Sequence, residues 1–100
     1  MKKITLDDVI KREQARDPEF NEHYQKELLI NAISKMIVEL RQRARLTQIE
    51  LAIRAHTTQP VIARLESGTD TRVPSLQLLI RIASAANAKL NVNLEFNRKN

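Results

Sequence analysis

The stretch from Thr47 to Gly68, TQIELAIRAHTTQPVIARLESG, constrains this chain most, because it spells the starts and stops of two short helices joined by a tight turn. Thr47-Gln48-Ile49-Glu50 fits a capping box, in which the Thr hydroxyl accepts from the N3 amide and the Glu carboxylate accepts from the Thr amide. Leu46 and Leu51 stand where a hydrophobic staple clamps such a box. The spacing predicts a helix beginning at Gln48 and burying Leu51, Ala52 and Ala55. Ala52 is small enough for a second helix to cross close by. That first helix stops near His56-Thr57-Thr58, where Thr57 or Thr58 can cap a second one with Val61, Ile62 and Leu65 inside. Pro60 falls in its first turn, where the missing N–H has no intrahelical role. Gly68, the only glycine, is expected to end it in a left-handed conformation.

Gln59, Pro60, Ala63, Arg64 and Ser67 are left on the outer face of the second helix. Gln can pair bidentately with adenine and Arg with guanine in a major groove, and Ala63 lets the helix sit close. Taken alone, one Gln and one Arg describe an ordinary solvated face. Joined to the capping box, the small Ala52 and the short turn, they point to a module that reads DNA.

The distribution of charge agrees. Residues 1–30 hold six Lys/Arg against seven Asp/Glu, net −1, whereas residues 31–100 hold eleven against five, net +6. The basic excess therefore lies wholly in the part that carries the helix pair, as phosphate binding requires. General solubility explains a positive total and not its segregation. With 100 residues there is room for one small domain and an appendage. The chain has no cysteine, which excludes disulfides and thiolate metal sites and suits a reducing cytoplasm. No apolar run approaches membrane-spanning length, and Met1-Lys2-Lys3 is followed by Asp7, Asp8, Lys11 and Arg12 rather than by a signal sequence.

Outside the helix pair, Thr5-Leu6-Asp7-Asp8 can cap a helix running to about Arg16, with Leu6, Val9 and Ile10 as its stripe. Asp17-Pro18-Glu19 is a second start, and nothing breaks the helix from Pro18 to about Ala44. Ile33, Ile37, Leu40 and Ala44 would face the core; Phe20, Tyr24 and Leu28 recur at every fourth position before them. Two readings of that aromatic stripe stay open: a local core with the first helix, or a surface for another protein. After Pro74, Ser75 caps a helix with Leu76, Leu79, Ile80 and Ala83 on one face and Leu78 and Ile82 on the adjacent one, an arc wider than one partner needs. Asn87 is a left-handed terminator. Leu90, Val92, Leu94 and Phe96 then alternate with Asn91, Asn93 and Glu95, which predicts a strand. A lone strand has no partner in a helical chain, so the expectation is a homodimer using Leu78, Ile82, Leu90, Val92, Leu94 and Phe96.

Catalytic chemistry is not written here. His23 and His56 have no cysteine or acid cluster at ligand spacing, one glycine cannot make a phosphate loop, and no nucleophile–base signature occurs. No enzyme activity, metal or cofactor is expected.

Leu40-Arg41, Leu46-Thr47-Gln48, Glu50-Leu51-Ala52, Gln59, Ile62, Arg64-Leu65-Glu66, Gly68, Pro74-Ser75-Leu76 and Arg81-Ile82-Ala83 together resemble the Cro/repressor-type (XRE) helix-turn-helix family over roughly residues 33–87. The resemblance implies an all-α, five-helix-type DNA-binding domain over 31–87. Residues 1–30 would be an N-terminal helical extension, and 88–100 a short C-terminal β-strand and tail. It implies that Gln48 contacts a phosphate and braces Gln59, and that Arg41 and Glu66 form a partly buried ion pair. The base-reading set becomes Thr58, Gln59, Pro60 and Arg64, and the phosphate-contacting set Gln48, Arg43, Arg45, Thr57 and Arg72. His56 and Arg45 depart from the family by standing where glycines are usual; His tolerates a left-handed backbone, and Arg45 adds a phosphate contact.

The long segment before the domain and the C-terminal strand are similar to antitoxins of the HigA type. That resemblance implies a dimeric antitoxin and autorepressor on a palindromic operator, with Leu6, Val9, Ile10, Phe20, Tyr24 and Leu28 as candidate contacts to a small ribonuclease toxin. The alternatives are a stand-alone regulator and a protein-only adaptor, which would lack a steep salt dependence of DNA affinity.

Overall fold

The structure, a computed structural model, describes residues 3–6, 8–9 and 22–94. Among the described residues are four helices: α1 (Glu22–Arg43), α2 (Gln48–Arg54), α3 (Gln59–Ser67) and α4 (Leu76–Ala85). Ahead of them, Thr5 starts a helical turn, its hydroxyl accepting from the Asp8 amide at 3.0 Å and its carbonyl from the Val9 amide at 3.1 Å. Ile10, Phe20 and Phe96, and the Asp17-Pro18-Glu19 start, lie outside the described residues.

The expected capping box of α2 is complete: Thr47 Oγ1 accepts from Glu50 N at 3.0 Å and Glu50 Oε1 from Thr47 N at 2.9 Å. Leu46 and Leu51 on either side of it are buried. One core joins Ile33 and Ile37 of α1, Leu46, Leu51, Ala52 and Ala55 around α2, Ile62 and Leu65 of α3, and Leu79 and Ile82 of α4. Each fully buried Leu or Ile contributes about 1.5–3 kcal/mol relative to exposure. The contacts run α1 to α3, α3 to α2 and α2 to α4, so α3 is held from two sides with its outer face open.

The helix ends share one device. Arg45, His56 and Asn87 adopt φ of 59°, 58° and 58°, the left-handed region, after α1, α2 and α4. Each sits in a Schellman arrangement, shown by the long back-bonds Leu46 N to Arg41 O (3.1 Å), Thr57 N to Ala52 O (2.9 Å) and Ala88 N to Ala83 O (2.8 Å). Side chains are tolerated at these ends because all three residues are exposed. Gly68 (φ 71°) differs: a Cβ there would meet Ser34 Oγ at 3.3 Å and Asn31 Oδ1 at 3.4 Å, so both the dihedral and the close approach to α1 favour glycine.

Several expectations are corrected. Among the described residues are four helices, and the segment at residues 6–9 is only partly described, so the count of five is not supported. Residues 88–94 form no strand: a strand requires a ladder partner, and no described segment supplies one. Leu90 packs against the core, while Val92 is exposed and Leu94 is 97% exposed. The face of α4 is also turned from the one expected. Ile82, assigned to a dimer surface, is 1% exposed in the core, whereas Leu76 and Ile80 face outward and Leu78 packs partly on the core. The apolar arc of α4 is wide enough to be buried along either edge, and periodicity does not choose between them. Val9 is likewise 1% exposed and Leu6 packs against the core, so of the N-terminal stripe these two side chains serve the fold.

Among the described residues no helix is long and apolar enough to cross a membrane.

Candidate nucleic-acid interface

Thr58 is the N-cap of α3 with extended φ −119° and ψ 157°, Gln59 is the first helical residue, and Pro60 lies in the first turn as its spacing predicts. Thr58 makes no side-chain cap bond to the helix, so its exposed hydroxyl is not used to hold α3 in place. Pro60, Arg64 and Ser67 are exposed and Gln59 and Ala63 half-exposed, while Ile62 and Leu65 anchor the opposite face.

Beneath this face runs a relay of polar groups that fixes Gln59. Arg41 Nε donates to Glu66 Oε2 at 2.7 Å and Arg41 Nη2 to Oε1 at 3.1 Å, a forked pair across α1 and α3. Gln48 Nε2 of α2 donates to the same carboxylate at 2.9 Å, and Gln48 Oε1 accepts from Gln59 Nε2 at 2.9 Å. A carboxylate only accepts, so the Gln48 amide has one sensible orientation, and its oxygen must turn towards Gln59. Gln59 in turn bonds through its nitrogen and leaves its carbonyl oxygen and one N–H for a ligand. That is the donor–acceptor pair adenine requires.

Glu66 is 6% exposed and Arg41 18% exposed at their side chains, so this is a mostly desolvated ion pair. Bonding to Glu66 raises the Arg41 guanidinium above its ordinary value, burial opposing and the Glu66 charge reinforcing the shift. Arg41 also donates through Nη1 to the Leu46 carbonyl at 2.9 Å, tying the turn between α1 and α2 to the same pair.

Two further side chains close helix ends. Ser34 Oγ donates to the Glu66 carbonyl at 2.7 Å, serving the last turn of α3, and Arg81 Nε donates to the Ala55 carbonyl at 3.0 Å, serving the end of α2. Nothing in the linear pattern announced either bond, since each joins residues far apart in sequence.

The remaining expected contact residues fall into groups. Arg64 and Arg72 meet on one carboxylate, Asp70: Arg64 Nε reaches Oδ2 at 3.0 Å and Arg72 Nε approaches Oδ1 at 3.6 Å. Arg43 and Arg45 stand at the exposed end of α1, Arg43 within 3.7 Å of Glu39. Thr57 is half-exposed in the turn before α3. Gln48 spends its side chain on the relay, leaving its second amide N–H and its first-turn backbone N–H. Asp70 was not legible as part of this surface, because six residues from Arg64 across a glycine is no helical spacing.

A sequence profile described as helix-turn-helix matches residues 37–92, more than half of the chain. This chain belongs to the helix-turn-helix family. The match is of the Cro/repressor (XRE) type. It makes the protein a DNA-binding domain of the kind found in transcription regulators, with no catalytic chemistry implied. Comparison with curated proteins and with solved structures finds no match. In this helix-turn-helix, α2 and α3 are the paired helices, and the relay from Arg41 to Gln59 connects the core to the open face of α3.

Proposed function

We propose that this helix-turn-helix protein regulates transcription by reading double-stranded DNA from the outer face of α3. Thr58, Gln59, Pro60 and Arg64 meet bases, and Gln48, Arg43, Arg45, Thr57 and Arg72 meet phosphates. The observation that carries this reading is the relay that leaves Gln59 with a fixed acceptor and donor beside the exposed Arg64. Arg64→Ala is expected to cost about 1–3 kcal/mol of specific binding and to relax one base position. Affinity selection from a randomised duplex pool, followed by titration over a range of salt, tests it. Unchanged base preference in Arg64→Ala would remove Arg64 from the reading set, and flat salt dependence would remove DNA as the ligand.

The finer reading is a cytoplasmic antitoxin that represses its own operon. As a dimer it would span half-sites about 34 Å apart. Its support is the near-neutral first 30 residues against a basic remainder, and the half-exposed Tyr24 and Leu28 on a part of α1 with no buried residue before Ile30. Removing residues 1–30 would also strip Leu6 and Val9 from the fold, so point variants test the division better. The product of a neighbouring small basic reading frame should arrest growth, and this chain should relieve the arrest. Tyr24→Ala/Leu28→Ala should lose that relief and keep DNA binding. Relief untouched by the variant would leave the stand-alone regulator. For the dimer, Val92 and Leu94 remain as exposed candidates, and sedimentation of Leu94→Asp against the parent chain tests it.

A further inference from the structure

The loop after α3 is built around Asp70. Ser67 Oγ donates to the Arg64 carbonyl at 2.7 Å, pairs with the Thr69 hydroxyl at 2.8 Å and accepts from the Thr69 amide at 3.2 Å. Gly68 turns the chain at φ 71°, and the Arg72 amide donates to Asp70 Oδ1 at 3.1 Å. The result is a carboxylate only 14% exposed, although the two arginines it serves are 47% and 77% exposed. Its ionised form is favoured: the Arg72 amide chiefly holds the carboxyl below the usual range, burial opposes it, and the Arg64 bond and the charges of both arginines add to the lowering.

The consequence lies in the geometry of Arg64. A free arginine on a helix surface samples many rotamers and can approach guanine by its Nε edge or by its two terminal nitrogens. Here the Nε proton is taken by Asp70 Oδ2 at 3.0 Å, and among the described residues no acceptor engages Nη1 or Nη2. Only the end-on fork remains for O6 and N7 of a guanine.

We propose that Asp70 is a specificity-determining positioning residue, holding Arg64 by Nε so that its two terminal nitrogens meet one guanine end-on. This rests on Arg64 being a base-reading residue. A carboxylate near DNA also repels phosphate, so Asp70 weakens binding to every sequence while sharpening the choice among them.

The test uses the full chain, its Asp70→Ala and Asp70→Asn variants, and a randomised double-stranded oligonucleotide pool. Duplexes carrying the enriched site and its single-base changes are then titrated at several salt concentrations. The parent chain should enrich a site with one guanine position that Arg64→Ala loses. Asp70→Ala should reduce discrimination at that same position about tenfold, leave the other positions unchanged, and bind unrelated duplexes more tightly. Asp70→Asn, whose amide oxygen can still accept from the Arg72 amide, keeps the loop closed and should fall between. If both variants strengthen binding to all duplexes by one common factor, Asp70 acts by charge alone and the proposal is overturned. If the parent chain enriches no site, base reading itself is refuted and Asp70 with it.

Discussion

Replacing Arg41 by Met separates the electrostatic and packing contributions at the centre of the domain. Met fills much of the space of the arginine stem and donates no hydrogen bond. The variant loses the 2.7 Å and 3.1 Å bonds to Glu66 and the 2.9 Å bond to the Leu46 carbonyl. The Glu66 carboxylate, 6% exposed, then keeps Gln48 Nε2 as its side-chain donor. Breaking a buried pair by removing one partner costs about 3–5 kcal/mol, and the 18% exposure of Arg41 places this pair at the lower end, about 3 kcal/mol. For a domain of this size each kcal/mol lowers Tm by about 4–8 °C, so a fall of about 12–24 °C is expected. Urea and thermal unfolding followed by circular dichroism measure both quantities. Arg41→Met/Glu66→Met removes the stranded charge and should lie closer to the parent than Arg41→Met alone, although Gln48 loses an acceptor. A single-variant loss below about 1 kcal/mol, or a double variant that loses the sum of the two singles, would refute the buried-pair account.

Gly68→Ala should cost about 2 kcal/mol, because a left-handed backbone penalises any Cβ and this one meets Ser34 Oγ at 3.3 Å; urea unfolding with no measurable loss would contradict the close approach. Arg45→Gly should do the opposite. Relief of its φ of 59° outweighs the added freedom of the unfolded chain, for a gain of about 0.5–1 kcal/mol in unfolding experiments, while the salt slope of DNA binding falls by about one contact. Asp70 titrates below the usual carboxylate range when folded, so its stabilising contribution is present above the unfolded value near 4 and is lost as pH falls through the folded value. The Tm difference between the parent and Asp70→Asn should therefore be constant near neutrality and vanish in acid; a difference that persists unchanged at pH 2 would show that the contribution is not ionic.

Local signals carried the two paired helices. The capping box at Thr47, the first-turn position of Pro60 and the left-handed Gly68 each follow from interactions within a few residues, and the structure places all three as the sequence implies. Asn87 was legible as a left-handed end for the same reason, whereas His56 was expected to be left-handed only because it stands where the resembled family has a glycine. The C-terminal segment was not legible: alternation of Leu90, Val92 and Leu94 expresses a preference that becomes a strand only beside another strand.

The sequence by itself determined where α2, α3 and α4 begin and where the four helices end, where the domain's positive charge lies, and which side chains α3 turns outward. Caps, dihedrals and helical periodicity act over one or two turns and need no distant partner. Only the tertiary structure decided which edge of α4 is buried, that Leu6 and Val9 belong to the fold, that Gln48 links the Gln59 brace to Glu66, and that Asp70 holds Arg64. Those outcomes depend on which surfaces meet when the helices pack, and on carboxylates that find their donors across 6, 18 and 25 residues of chain.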